Sequence, residues 1–189
     1  AHKTLKVVAS SKVERVEPEI NKELETLKNI TLSFKDLKQR LSTYHENDVL
    51  AKYFLFETQS IPTASEEIKA YALESFKEDR NIIEAAIEFT SRIFNDFEFV
   101  SGFSDITTPI ETIFREKKGV CQDFAQFAIS ALRSIGIPTR YVSGYIQTLA
   151  PEGKEKLFGA DASHAWFSIY IPDFGWADFD PTNNKIPDV

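Results

Sequence analysis

From Cys121 to Ile135 the chain reads as one helix, and the way that helix is bounded constrains the fold more than any other stretch. Phe124, Phe127, Ala128, Ala131, Leu132 and Ile135 recur at helical spacing, which is apolar enough for a central position. Gly136 ends the helix and Pro138 prevents its resumption. Three strand-like runs follow, over 139–146, 164–171 and 176–180, with no helix between them. Parallel strands would need such crossover helices, so the three runs are expected to pair antiparallel. Helices first and strands afterwards, without βαβ alternation, predict an α+β fold.

Upstream, Leu5 to Val16 reads as strands, and 17–60 is mixed, with Phe34, Leu37, Lys38 and Leu41 spaced for a short helix. Thr63-Ala64-Ser65-Glu66 has the spacing of a capping box, with Ile68, Ala72, Leu73 and Phe76 following on one face. A second helix is expected from Asn81, with Ile83, Ala86, Ile87, Phe89, Ile93 and Phe94 as its apolar positions. A third begins at Pro109, whose missing N–H costs nothing in a first helical turn, and carries Ile110, Ile113 and Phe114. The stretch 148–163, with Pro151, Gly153 and Gly159, reads as a loop.

The chain has one cysteine, and it stands at the start of the central helix, in Gly119-Val120-Cys121-Gln122-Asp123-Phe124-Ala125. A thiol is a nucleophile only as thiolate, and unpaired N–H groups at a helix N-terminus lower its pKa. The same N–H groups can hold an oxyanion, so the Cys121 N–H is one expected donor and the second is left unassigned. His164 opens one strand-like run and Asp180 closes the next. Together they supply an acid–base partner and an orienting carboxylate, which makes Cys121, His164 and Asp180 a candidate acyl-transfer triad.

Spacing alone leaves other roles open. A lone cysteine among apolar residues often serves as an inert, small hydrophobe. His164 could be a satisfied core histidine, and Asp before Pro181 is a common turn residue. A zinc site from the three groups lacks short ligand spacings. Asp123 would raise the thiol pKa, so a structural role suits it better than an activating one. The side chain of Gln122 diverges from that of Cys121 on a helix, and Trp166 could wall a cleft or belong to the core.

Four blocks then carry a family resemblance: Gly119 to Ala125, Gly136-Ile137-Pro138-Thr139-Arg140-Tyr141-Val142-Ser143-Gly144-Tyr145, Gly159 to Trp166, and Gly175-Trp176 through Asp180-Pro181-Thr182-Asn183. In this order, across about residues 95–184, they resemble the core of bacterial transglutaminase-like proteins. The resemblance implies a papain-like fold, with a nucleophile helix packed on an antiparallel sheet, and Cys121, His164 and Asp180 as its triad. It also implies a division into a β-rich N-terminal region, 1–68, and a catalytic core, 69–189. The chain stops soon after the Asp-Pro-Thr-Asn block, where relatives usually continue, so part of the cleft is expected beyond it. Phe97-Glu98-Phe99, Gln126 and Phe127 depart from the commoner residues of the family near the cleft.

The implied activity is a cysteine-dependent amide or peptide hydrolase working through a thioester. The alternatives are a transglutaminase that passes the acyl group to an amine, and a peptide-binding module without chemistry. The triad cannot separate the first two, because acylation is common to both. The expected partners are a peptide or protein amide and an amine acceptor, with no cofactor required. A net charge of −7 without a basic cluster disfavours nucleic acid and anionic membranes. A single cysteine allows no internal disulfide, which agrees with a reducing, cytoplasmic compartment unless a leader has been removed. The first residue is Ala rather than Met, so a processed or excised chain is expected.

Overall fold

The computed structural model describes residues 25–146 and 162–187. The strands expected over 5–16 and most of the 148–163 loop lie outside the described residues. Over 25–68 the described elements are helical. Helix α1 spans Phe34–Ser42, starts where the Ser33 hydroxyl accepts from the Asp36 N–H, and buries Phe34, Leu37 and Leu41. A 3-10 turn at Glu46–Asp48, the short α2 at Val49–Lys52 and a second 3-10 turn at Tyr53–Leu55 follow.

Helices α3 (Glu66–Ser75), α4 (Ile82–Asp96) and α5 (Ile110–Glu116) lead to α6, Cys121–Ser134. The strands are β1 (Glu98–Phe99), β2 (Lys118–Gly119), β3 (Thr139–Ile146), β4 (Ala162–Ile171) and β5 (Gly175–Phe179). β3-β4-β5 form an antiparallel sheet in sequence order, while β1 and β2 make a two-residue parallel pair just before α6. The α+β class with an antiparallel sheet is what the molecule adopts. The β1–β2 pair is too short to leave a period in the sequence.

Local chemistry explains the helix starts. The N-cap of α3 is Ser65, whose Oγ accepts from the Ile68 N–H at 3.4 Å, and the Thr63 hydroxyl instead donates to Glu57. The N-cap therefore lies two residues later than expected, and with Ile68 at N3 the reciprocal half of a capping box is missing. Asn81 caps α4 through Oδ1, which accepts from the Ile83 and Glu84 N–H groups. Pro109 is the N-cap of α5 rather than its first residue. Beyond α6, Gly136 takes φ 87°, a left-handed turn that a side chain would disfavour.

The abundant phenylalanines fill the space between helices and sheet. Phe76, Phe89, Phe124, Phe127, Phe167 and Phe179 are fully buried, and Phe89 of α4 meets Phe167 of β4 edge-on at 6.4 Å. Leu73, Ile87 and Phe94, expected on buried faces, lie 38–45% exposed. The second face of the sheet is covered by the 46–55 turns: Phe54 packs on Trp176 at 4.9 Å, and Trp176 on Tyr170 at 5.5 Å. A strand buried on both sides is held rigidly, and β4 carries His164 near its start. No helix among the described residues is long and apolar enough to cross a membrane.

Candidate active site

Cys121 is the first residue of α6 and is half-buried. The helix start has an unusual cap. Val120 occupies the N-cap position and has no side-chain oxygen to offer, so the Asp123 carboxylate reaches back and accepts from the Val120 N–H at 2.7 Å. The Ser104 hydroxyl donates to the same carboxylate oxygen. Gly119 makes this possible, since a Cβ there would lie 2.9 Å from Asp123 Oδ2. Asp123 is buried and spent on the backbone just before Cys121, the structural role expected for it.

His164 lies near the start of β4 and Asp180 just past β5, and the sheet brings both to the N-terminus of α6. His164 Nε2 is 2.8 Å from Asp180 Oδ2, with both side chains almost fully buried. That contact leaves Nδ1 as the ring nitrogen able to meet the thiol. Interaction with His164 draws the Cys121 thiol below its ordinary pKa; burial opposes this, and the Ala165 and Gln122 N–H groups add to the lowering. The imidazole responds in the opposite sense. Its bond to Asp180, and then its contact with Cys121, raise His164 from 6.5 to about 9. Each shift favours the charged form of its group, so the two lean toward a thiolate–imidazolium pair.

The carboxylate of Asp180 is itself fully occupied. Burial pushes its pKa up, but His164, Asn183 and the Thr182 N–H outweigh that and hold it below the ordinary value. Oδ1 accepts from the Thr182 and Asn183 N–H groups at 2.9 and 3.2 Å, and Oδ2 accepts from Asn183 Nδ2 at 2.7 Å. Asp180 thus closes an Asx turn and orients a histidine with the same four lone-pair sites. Asn183 Nδ2 also lies 3.2 Å from His164 Nε2. Both are donors when Nε2 bonds Asp180, so Asn183 acts through the carboxylate. Asn183 was visible only as the last residue of a family block, with no role of its own.

Trp166 stands between the two readings given for it. It is half-buried, its Nε1–H donates to Asp178 Oδ2 at 2.9 Å, and its ring lies 6.0 Å from that of His164. It also crosses β3 over Gly144, where a Cβ would sit 2.5 Å from the indole. Trp166 therefore walls the histidine from one side. Among the described residues, no group of three or more His, Cys, Asp or Glu side chains is arranged to hold a metal ion.

A helix start carrying a thiol, packed against antiparallel strands that carry a histidine and its carboxylate, is a papain-like arrangement. The chain belongs to the transglutaminase-like superfamily, whose sequence profile matches residues 69–181. An uncharacterized protein of Mycobacterium tuberculosis is 40% identical over 131 residues, covering 67% of this chain and 42% of that protein. The chain thus spans less than half the length of this relative. A protein-glutamine gamma-glutamyltransferase of Pseudomonas aeruginosa is 35% identical over 77 residues, 40% of this chain and 12% of that protein. Among solved structures, a proposed cysteine protease of Cytophaga hutchinsonii superposes with a TM-score of 0.58 at 27% identity, covering 75% of this chain and 44% of that one. Proteins of this superfamily are typically cysteine-dependent acyltransferases or proteases, with a mixed helix-and-sheet fold of the kind described above.

Proposed function

We propose that the protein is a cysteine-dependent amide or peptide hydrolase in which Cys121, His164 and Asp180 form the catalytic triad. The observation that carries this reading is the coupled site: a thiol held below its ordinary pKa beside an imidazole raised to about 9 and bonded to a buried carboxylate. The thiolate sulfur of Cys121 attacks the substrate carbonyl carbon, and the C=O electron pair moves onto oxygen. The Cys121 N–H at the helix start is one expected backbone donor for that oxyanion. Collapse re-forms the C=O and breaks the C–N bond, while the His164 imidazolium gives its proton to the departing amine. The product is a thioester on Sγ. Water then attacks it as His164 takes the water proton, and the carboxylic acid and the Cys121 thiolate are released. Asp180, braced by Asn183, keeps the imidazole oriented and stabilises its charged form through both halves of the cycle.

The likeness to the proposed cysteine protease of Cytophaga hutchinsonii supports hydrolysis. The likeness to the Pseudomonas aeruginosa gamma-glutamyltransferase favours a second reading, in which an amine resolves the same thioester. Both predict that an activated ester or amide leaves an acyl group on Cys121, visible as a mass increment in rapidly quenched protein and absent in Cys121→Ala. Product analysis with and without a primary amine then separates carboxylic acid from amide product. A protein that never acquires the increment with any acyl donor would instead be a binding module.

A further inference from the structure

A cleft of about 880 Å³ opens beside the start of α6, between that helix, the edge strand β3 and two loop segments at 58–62 and 106–110. Gln122 and Gln126, four residues apart and so on one face of α6, line it together with Tyr141 of β3. Gln122 directly follows Cys121, and the Tyr141 phenol is close enough for the charges of Cys121 and Asp123 to act on it, so the cleft lies beside the helix start that carries the thiol. Its composition stands apart from that of the molecule. Charged residues make up 27% of the chain, yet none of the thirteen described residues lining this cleft carries a charge. What they offer is three carboxamides, several hydroxyls and an apolar stretch at Ile61-Pro62.

Such a wall hydrogen-bonds neutral polar groups and covers apolar ones, but has nothing to neutralise an ion. A charged side chain seated there would lose hydration without gaining a partner. From this we infer that the cleft binds the substrate segment next to the scissile carbonyl and selects acyl donors whose side chains there are uncharged, with Gln126 and Ile106 as specificity-determining positions on opposite walls. The inference rests on the proposed acylation of Cys121. Ser104, two residues before the 106–110 wall, bonds Asp123 near the helix start and so ties that wall to α6. Ile106 is 87% exposed, and its side chain can be replaced without disturbing the core.

The experiment compares acyl donors differing only in one side chain beside the scissile ester: neutral, cationic or anionic. Wild type should favour the neutral donor over both charged ones by tenfold or more in kcat/KM. Gln126→Glu and, independently, Ile106→Glu should each shift the ratio toward the cationic donor by about tenfold, while disfavouring the anionic one further. Iodoacetamide alkylation of Cys121, which needs no cleft, should keep its wild-type rate within about twofold in both variants. If that rate is normal but the charge preference is unmoved in both, the cleft is not the acyl-donor site and the inference falls. A wild-type protein already preferring a charged donor would overturn it as well. A thiol that alkylates slowly in wild type contradicts the proposed function instead, which keeps the two failures apart.

Discussion

Strand β4 carries a partner of a buried carboxylate near each end, His164 and Tyr170, and the two pairs are built alike but differ in what they can do. Near its start, His164 bonds Asp180 at 2.8 Å. Near its other end, the Tyr170 hydroxyl donates to Asp48 at 2.8 Å, and Arg40 Nε donates to the same carboxylate at 2.8 Å. Asp48 is fully buried and Asp180 nearly so, and both are held below the ordinary carboxylate pKa despite burial. The difference lies in the partner. Arg40 is raised further above a range it never leaves, and Tyr170 is pushed up to about 12, so no proton moves at that end near neutral pH. His164 can take and give a proton, and it faces a thiol. A buried carboxylate is therefore a fastener where its partner cannot titrate, and under the proposed function part of a chemical site where the partner can.

The largest effect expected at either pair is on chemistry. His164→Ala should slow acylation of Cys121 by roughly 10²–10⁴-fold, the range for losing a positioned acid–base group, in stopped-flow assays with an activated ester. Asp48→Ala should do the reverse. It should cost about 1–3 kcal/mol of stability in urea unfolding, as expected for breaking a buried hydrogen-bond network, and leave the alkylation rate of Cys121 unchanged. Equal loss of both properties in either variant would erase the distinction between the two ends.

The pH dependence sharpens the comparison. His164 is raised from 6.5 to about 9, so its charged form contributes stability that is complete below 6.5 and fades as the pH rises through the folded value. The Cys121 thiol, lowered in the fold, contributes in the opposite sense, so Cys121→Ala is the clearer background. In that protein the Asp180 bond still raises His164, so the urea midpoint should fall as the pH rises above 6.5, and Asp48→Ala added to it should keep the same slope. On the acid side both ends should weaken together, because Asp48 and Asp180 both contribute stability above their ordinary pKa of 3.8 that is lost as pH falls through their lowered values. The smallest effect belongs to Asn183→Ala, which removes one of four bonds to Asp180: acylation should slow only a few-fold, with the loss in kcat rather than KM.

Much of the chemical end was legible in the sequence, and little of the other. Helix α6 starts at Cys121 and stops before Gly136 because its apolar period, the turn glycine and Pro138 agree. β3, β4 and β5 fall within two residues of their expected starts for the same reason: strand-forming runs set off by turn residues. His164 and Asp180 are candidates from residue type and position, and the family blocks support joining them to Cys121, since 43 and 16 residues of separation say nothing about proximity until the sheet forms. The geometry gives Asp180 the contacts of both its turn reading and its orienting-carboxylate reading: Oδ1 serves the turn, and Oδ2 bonds the imidazole and Asn183. By contrast, nothing marked Asp48, Arg40 and Tyr170 as partners. They lie up to 130 residues apart, on elements without a shared motif, and only the packing of the 46–55 turns on the sheet brings them together. Ser104 escaped for a similar reason, being a loop hydroxyl whose partner is set by the path of the chain.

The central claim is that Cys121 and His164 form an ion pair poised for attack, and the pH dependence of Cys121 alkylation by iodoacetamide, in wild type and in His164→Ala, tests it most directly. The expected wild-type rate stays high well below the pKa of a free thiol, about 8.5, and in His164→Ala it collapses to an ordinary thiol profile. A wild-type rate that tracks a single pKa at or above 8.5, and does not change in the variant, would contradict the pairing and with it the proposed chemistry.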